Sequence, residues 1–220
     1  MKYEDNNIIN VSMGPLSYTY TVAEIKFHLA NNDSVGSEHR VGGESFPGEM
    51  HIVAYNSDLY NNLSEAKREV KGLAIIAVFI EIGRDHDKSF HYIAEQLKWV
   101  KDKGKSRRVD FFSFDKLLPN TSEYITYDGS LTQPGCFETV TWMVLNRPLK
   151  ISRKQLTELR VLYHHRANEP GLPLSINARP LMPLNSRLVR TNINTHKRSR
   201  LCTMEKEMFY QVNGRYIKLR

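Results

Sequence analysis

SYTYTVAEIKFHL (residues 17–29) and EMHIVAYN (residues 49–56), joined by the loop NNDSVGSEHRVGGESFPG (residues 31–48), decide how this chain is read. Polar and apolar side chains alternate in the first run, with many β-branched and aromatic residues, as a half-buried strand requires. The second run reads as a neighbouring strand on the same grounds. Alternation puts Lys26 and His28 on one face of the first strand, two residues apart, and His51 in the next strand is placed to face them. A histidine on an apolar strand is more often a hydrogen-bonded core residue than a metal ligand, so spacing alone specifies no chemistry here.

Working outward, GLAIIAVFIEIG (72–83) is an apolar run interrupted by Glu81, too short for a bilayer, and reads as a buried strand. Asp58 to Lys71 is polar with helical character. Ser89 is placed to cap a helix carrying Phe90, Ile93, Leu97 and Val100 and ending near Gly104. The basic cluster from Lys98 to Arg108 reads as a solvated helix end. Gly104-Lys105-Ser106 imitates the end of a phosphate loop, but Trp99 stands where the upstream glycine is required. YITYDGSLTQPG (124–135) reads as turn-rich and FETVTWMVL (137–145) as a central strand. Ser152 with Gln155 forms a capping box for a helix bearing Leu156, Leu159 and Leu162. From His164 onward the chain is loop-rich and punctuated by prolines.

The 220 residues, 40% hydrophobic, suffice for one sizeable core. The net charge of +7 favours acidic partners, yet no stretch resembles a nucleic-acid-reading module, and no run is long enough to span a membrane. Cys136 and Cys202 do not make a disulfide framework and leave the compartment open. Sequons begin at Asn10, Asn32, Asn62 and Asn120, as suits a secreted chain. No apolar leader follows the amino terminus, so the expectation is either a cytoplasmic chain or one whose beginning is missing.

GSEHRVGGESFPGEMHIVAYN (36–56), DKGKSRRVDFFSFDKLLP (102–119), YDGSLTQPGCFETVTWMVL (127–145) and NARPLMPLN (177–185) together resemble the signature stretches of α-carbonic anhydrases, in unbroken order over roughly residues 15 to 190. GPLSYTYTVAEIKFHL (14–29) and RPLMPLNSRLVRTNIN (179–194) are most similar to the carbonic anhydrase-related proteins X and XI. The resemblance implies a mostly β fold with short peripheral helices around a large, central, twisted mixed sheet, here truncated at its amino end. The domains expected are a polar segment at 1–14, an incomplete α-carbonic anhydrase-like domain at 15–192 and a basic tail at 193–220.

In the active family three histidines hold zinc, which lowers the pKa of a bound water to about 7 for attack on carbon dioxide. Carried over by resemblance, Lys26 takes the first histidine's place, His28 the second and His51 the third. Glu38 and Thr132 take the places of the pair that orients the bound hydroxide, Glu38 accepting from the threonine hydroxyl. Val53, Ile75, Leu131 and Trp142 match the apolar wall where carbon dioxide sits. Lys26 removes a ligand and aims an ammonium, with a reference pKa of about 10.4, at a dication. The expectation is therefore a catalytically inactive relative with no cofactor, acting as an extracellular protein-interaction module, whose partners by resemblance are neuronal cell-surface proteins such as neurexins. The alternative is a zinc-dependent carbonate dehydratase using His28, His51 and a third ligand.

Departures from the family pattern are Leu29-Ala30 in place of tryptophan-glycine and Gly135 in place of a proline. Related protein X usually has glutamine where His51 stands. The resemblance also implies that the proton-shuttle histidine and part of the sheet belong to an upstream segment absent here, together with the cysteine that would pair with Cys136.

Overall fold

A computed structural model describes residues 8–83, 88–101, 104–107, 113–160, 177–193, 209–212 and 215–218. The elements in chain order are β1 (Asn10–Val11), β2 (Tyr20–Leu29), β3 (Gly48–Asn56), α1 (Leu63–Ala66), β4 (Leu73–Ile82), α2 (Lys88–Leu97) and α3 (Phe114–Leu117). After them come β5 (Tyr124–Gly129), β6 (Val140–Leu145), β7 (Leu149–Ile151), α4 (Arg153–Arg160), β8 (Arg190–Thr191), β9 (Phe209–Val212) and β10 (Arg215–Lys218). The architecture is mostly β, as expected. One mixed sheet runs β1-β2-β3-β4-β6-β5-β8, with β7 also paired to β4, while β9 and β10 form a separate antiparallel pair within the basic tail.

β3, β4 and β6 are almost continuously buried; β4 and β6 are accordingly largely apolar on both faces, while β3 carries Glu49 and His51 on one. One face packs Met50, Ile52, Ala54, Val78 and Ile80 against Phe90, Ile93 and Ala94 of α2 and Leu156 and Leu159 of α4. The other face packs Val53, Ile75, Phe79, Trp142 and Val144 around Phe46 and Leu131. β4 pairs parallel with β6 and antiparallel with β3.

Between Val22 and Glu24 the β2–β3 register shifts at a β-bulge. An extra residue in one strand reverses the parity of every side chain beyond it. Tyr20 and Val22 therefore share the helix-covered face with Ile25 and Leu29, and Glu24, Lys26 and His28 are delivered to the opposite face.

Three local expectations need correction. α2 begins at Lys88 and ends at Leu97, so Ser89 lies inside it and Val100 beyond it, in a turn closed by Val100 N–H to the Leu97 carbonyl. Residues 124–129 are strand β5: the Asp128-Gly129 dipeptide, read as a turn, continues the ladder to Thr141 and Val140. Gly129 is needed there because a Cβ would stand 2.9 Å from Trp142 Cδ1. β1 draws part of the polar amino-terminal segment into the sheet beside β2. The capping box forms as expected, Gln155 N–H donating to Ser152 Oγ and Ser152 N–H to Gln155 Oε1. Leu162, Cys202 and most of the carboxyl-terminal tail lie outside the described residues.

The loop from Ala30 to Pro47 doubles back on itself. Gly36 and Ser37 N–H both donate to the Phe46 carbonyl, and a turn at Gly42 and Gly43, both at positive φ, closes the Val41–Glu44 bridge. A Cβ on Gly36 would stand 2.0 Å from the Pro47 oxygen. Gly36→Ala is expected to force the two limbs apart and cost about 2 kcal/mol, lowering the melting temperature by roughly 4–8 °C, measurable by calorimetry.

Candidate functional site

The bulge and the sheet register set the site. Lys26 pairs with His51 and His28 with Glu49 across β2–β3; Val53, Ile75 and Trp142 are successive partners across β3, β4 and β6. The residues expected as an apolar wall thus form a cross-strand row beside His51, with Leu131 packed in the same core cluster. An open cleft of about 700 Å³ lies over this face, lined by Glu38, His39, Thr132, Trp142, Arg179 and Leu184 among others. His28 and His51 are buried.

Glu49 organises the site from inside the sheet. Its Oε1 lies 2.7 Å from His51 Nε2 and 2.6 Å from His39 Nδ1, and its Oε2 accepts from the His39 backbone N–H at 2.8 Å. His39 Nε2 is 2.6 Å from the Tyr127 hydroxyl, and both imidazoles meet the Trp142 ring edge-to-face at 4.9 Å. Burial raises the Glu49 pKa, but the charge and hydrogen bond of His39 and those of His51 outweigh it and leave the carboxyl well below its usual range. Burial lowers the His39 pKa, and the Glu49 charge and hydrogen bond more than reverse this, so His39 sits above the usual imidazole range. His51 is pushed below its usual range by burial, against the opposing pull of Glu49. Burial pushes the Tyr127 phenol up.

His28 and His51 face each other, with ring centroids 4.3 Å apart. His28 Nδ1 stands 3.1 Å from the Asn177 carbonyl and 3.2 Å from Glu38 Oε1. Two acceptors on one nitrogen place the ring proton there, and Nε2 is left buried with no partner. His51 Nε2 facing Glu49 likewise leaves Nδ1 as the lone-pair nitrogen, 3.8 Å from Glu38 Oε2. Burial raises the Glu38 pKa, yet the His28 hydrogen bond, the nearby imidazoles and the Arg179 N–H bring it below the usual carboxylate range.

Lys26 does not point a free amine at this place. Its Nζ is 2.7 Å from Glu24 Oε1 and donates to Gln133 Oε1 at 2.9 Å. The first contact is an ion pair and the second a hydrogen bond donated by the ammonium, and an ammonium offers no lone pair. Thr132 reaches the cleft wall with Glu38, but among the described residues no hydrogen bond joins them: Glu38 Oε1 accepts from Arg179 N–H at 2.9 Å, and Oε2 has no hydrogen-bond partner.

Glu24, His39, Glu49, Tyr127, Gln133, Asn177 and Arg179 are site residues that sequence reasoning did not single out. The 177–185 stretch is brought to β2 by Asn177, whose side chain accepts from Leu29 N–H at 2.7 Å and donates to the Phe27 carbonyl at 2.8 Å. Arg179 donates to Ser130 Oγ and the Leu131 carbonyl. Three stretches remote in sequence, around Glu38, Leu131 and Arg179, therefore converge on one pocket floor.

The sequence profile of the eukaryotic-type carbonic anhydrases matches residues 1–193. This chain belongs to that family. It is 40% identical over 192 residues to putative carbonic anhydrase-like protein 1 of Caenorhabditis elegans, a match covering 86% of this chain and 52% of that protein. Carbonic anhydrase 1 of Oryctolagus cuniculus is 36% identical over 192 residues, covering 87% of this chain and 81% of that one. Putative carbonic anhydrase-like protein 2 of Caenorhabditis elegans is 38% identical over 215 residues, covering 93% and 64%. The chain thus spans about half the length of the first of these relatives.

Family membership implies zinc, and three neutral imidazoles are the donor set to test for. This carbonic anhydrase-like chain supplies two. Beside His28 and His51 the Lys26 side chain is an ammonium held by Glu24 and Gln133 and offers no lone pair, so these residues do not fit a three-histidine zinc site.

The Glu49 carboxylate is expected to be the most sensitive position in the site. Glu49→Gln leaves His39 without its counter-charge and is expected to destabilise the fold by about 3–5 kcal/mol. Because folding depresses this pKa, its contribution is complete above the unfolded carboxylate value of about 4.3 and drains away as pH falls toward the folded value. Acid unfolding followed by circular dichroism is expected to begin at higher pH in the variant than in the wild type.

Proposed function

We propose that this carbonic anhydrase family member is catalytically silent and serves as an extracellular protein-interaction module. The observation that carries the reading is Lys26, an ammonium tied to Glu24 and Gln133 where the family's ligand pattern calls for a third neutral nitrogen. In active relatives the metal supplies an acidified water. This chain also departs at the residues that would orient such a water, because Glu38 is engaged by Arg179 N–H and His28 and makes no hydrogen bond with Thr132.

The extracellular part of the reading is supported by the asparagines of all four sequons, each of which is exposed. No described helix is long and apolar enough to cross a membrane. The interaction part is supported by Leu181, Met182, Leu184 and Leu188, which are 53–73% exposed on the segment that borders the cleft. Contiguous exposed apolar side chains mark contact surfaces on folded domains. The proposed partners are cell-surface proteins of the neurexin class, in keeping with the resemblance to related proteins X and XI. Binding of purified ectodomains is expected to weaken when Leu181 and Leu184 are both changed to Glu.

Carbon dioxide hydration measured by stopped flow is expected to stay at the uncatalysed rate for the wild type, even with zinc added. Lys26→His supplies a third neutral donor and is expected to raise zinc affinity by on the order of tenfold or more. Robust turnover by the wild type, with one zinc per chain, would instead establish the carbonate dehydratase reading.

A further inference from the structure

Behind Glu38, which lines the cleft, lies an arrangement that the three-histidine pattern does not describe. His28 Nε2 and Glu38 Oε2 are both buried without a hydrogen-bond partner, and the lone-pair nitrogen of His51 lies 3.8 Å from that same carboxylate oxygen. One donor atom from each of His28, Glu38 and His51 falls within 4.8 Å of the others. All three side chains are buried. Two lone pairs and a bare anionic oxygen converge with no hydrogen to share among them, a costly arrangement in an apolar surrounding.

We propose that His28, His51 and Glu38 form a two-histidine, one-carboxylate site for a divalent transition-metal ion, with Glu38 as a direct ligand and Lys26 taking no part. Tetrahedral bonds of about 2.0–2.1 Å set neighbouring donors roughly 3.3 Å apart. The donor atoms here lie within 4.8 Å of one another, so they must draw closer around the ion. Orientation is already supplied: Asn177 fixes the His28 ring through Nδ1, Glu49 fixes the His51 ring through Nε2, and Arg179 N–H holds Glu38 through Oε1. The adjoining group of His39, Glu49 and His51 is different in kind, because its atoms sit 2.6–2.7 Å apart in hydrogen bonds and leave no room for an ion.

A carboxylate ligand also changes what the ion can do. It lowers the net charge of the centre relative to three imidazoles and so acidifies a bound water less. As a ligand, Glu38 is no longer available to position Thr132. The inference shares with the proposed function only the premise that Lys26 is not a ligand, and metal binding here is compatible with catalytic silence.

The test is titration of the purified chain with cobalt(II), read by its visible ligand-field absorption, together with equilibrium dialysis against zinc. The wild type is expected to take up one ion with the absorption of a low-symmetry, nitrogen- and oxygen-ligated centre. Glu38→Gln keeps the oxygen that accepts from Arg179 and removes the anionic donor. Since loss of an outer partner alone costs about 10–100-fold, this variant is expected to weaken binding by about 100-fold or more. Lys26→Ala is expected to bind within about threefold of the wild type. Melting curves without metal confirm that each variant is folded. No uptake by the folded wild type, undiminished uptake by folded Glu38→Gln, or loss of uptake in folded Lys26→Ala each overturns the ligand set and leaves the hydration result standing. Turnover with an intact Glu38-dependent centre would overturn the proposed function and leave the ligand set standing.

Discussion

A carboxylate with no solvent exposure, in the middle of a buried strand, is among the least favourable groups a sheet can carry. Glu49 occupies such a position, and the organisation around it follows from the need to satisfy it. Its two oxygens receive the His51 ring, the His39 ring and the His39 backbone N–H. The second and third of these come from the loop before β3, so the electrostatic need of one strand residue fastens that loop to the sheet. Glu38 precedes His39 and is carried into the site with it. Tyr127 then closes the far side of His39, linking β5 to the same network.

The bulge in β2 does for the strand what Glu49 does for the loop. Without the extra residue, Lys26 and His28 would lie on the same side as Tyr20 and Val22, under the helices α2 and α4. With it, the strand keeps Ile25 and Leu29 in that core and turns Glu24, Lys26 and His28 to the opposite face of the sheet. Backbone irregularity and side-chain chemistry are thus coupled: the site exists on this face because the register changes upstream of it.

Much of this was legible in the residues. Strong alternation in 17–29, the apolar run at 73–82 and the capping box at Ser152 each gave the element now seen, because in each the local pattern and the tertiary surroundings ask for the same thing. The facing of Lys26 and His51 followed from alternation, and their direct pairing in the ladder bears that out. β5 was not legible, because Asp128-Gly129 carries a turn signature that a central ladder and a close Trp142 override. Glu49 and Asn177 were missed for another reason. Their roles depend on partners 10 and about 149 residues away, which no local window contains. The usable signal for Glu49 was a carboxylate two residues before a histidine on an otherwise buried, largely apolar strand, where a buried counter-charge makes sense of it.

Lys26 poses the harder physical question, since an ammonium among buried imidazoles needs compensation to persist. Glu24 stands two residues earlier on the same face, a strand position from which a carboxylate reaches its neighbour without any change in the backbone. With both side chains largely shielded, removing Glu24 leaves the ammonium uncompensated, whereas Glu24 itself has a second cation, Lys67 Nζ, 3.8 Å away. Gln133 Oε1 accepts a hydrogen bond from the ammonium and draws in the loop carrying Thr132. The lysine has thus acquired its own hydrogen-bonded niche beside the two histidines. Its ammonium faces the strand and the threonine loop, and the lone pairs of His28 and His51 are left to face Glu38 instead.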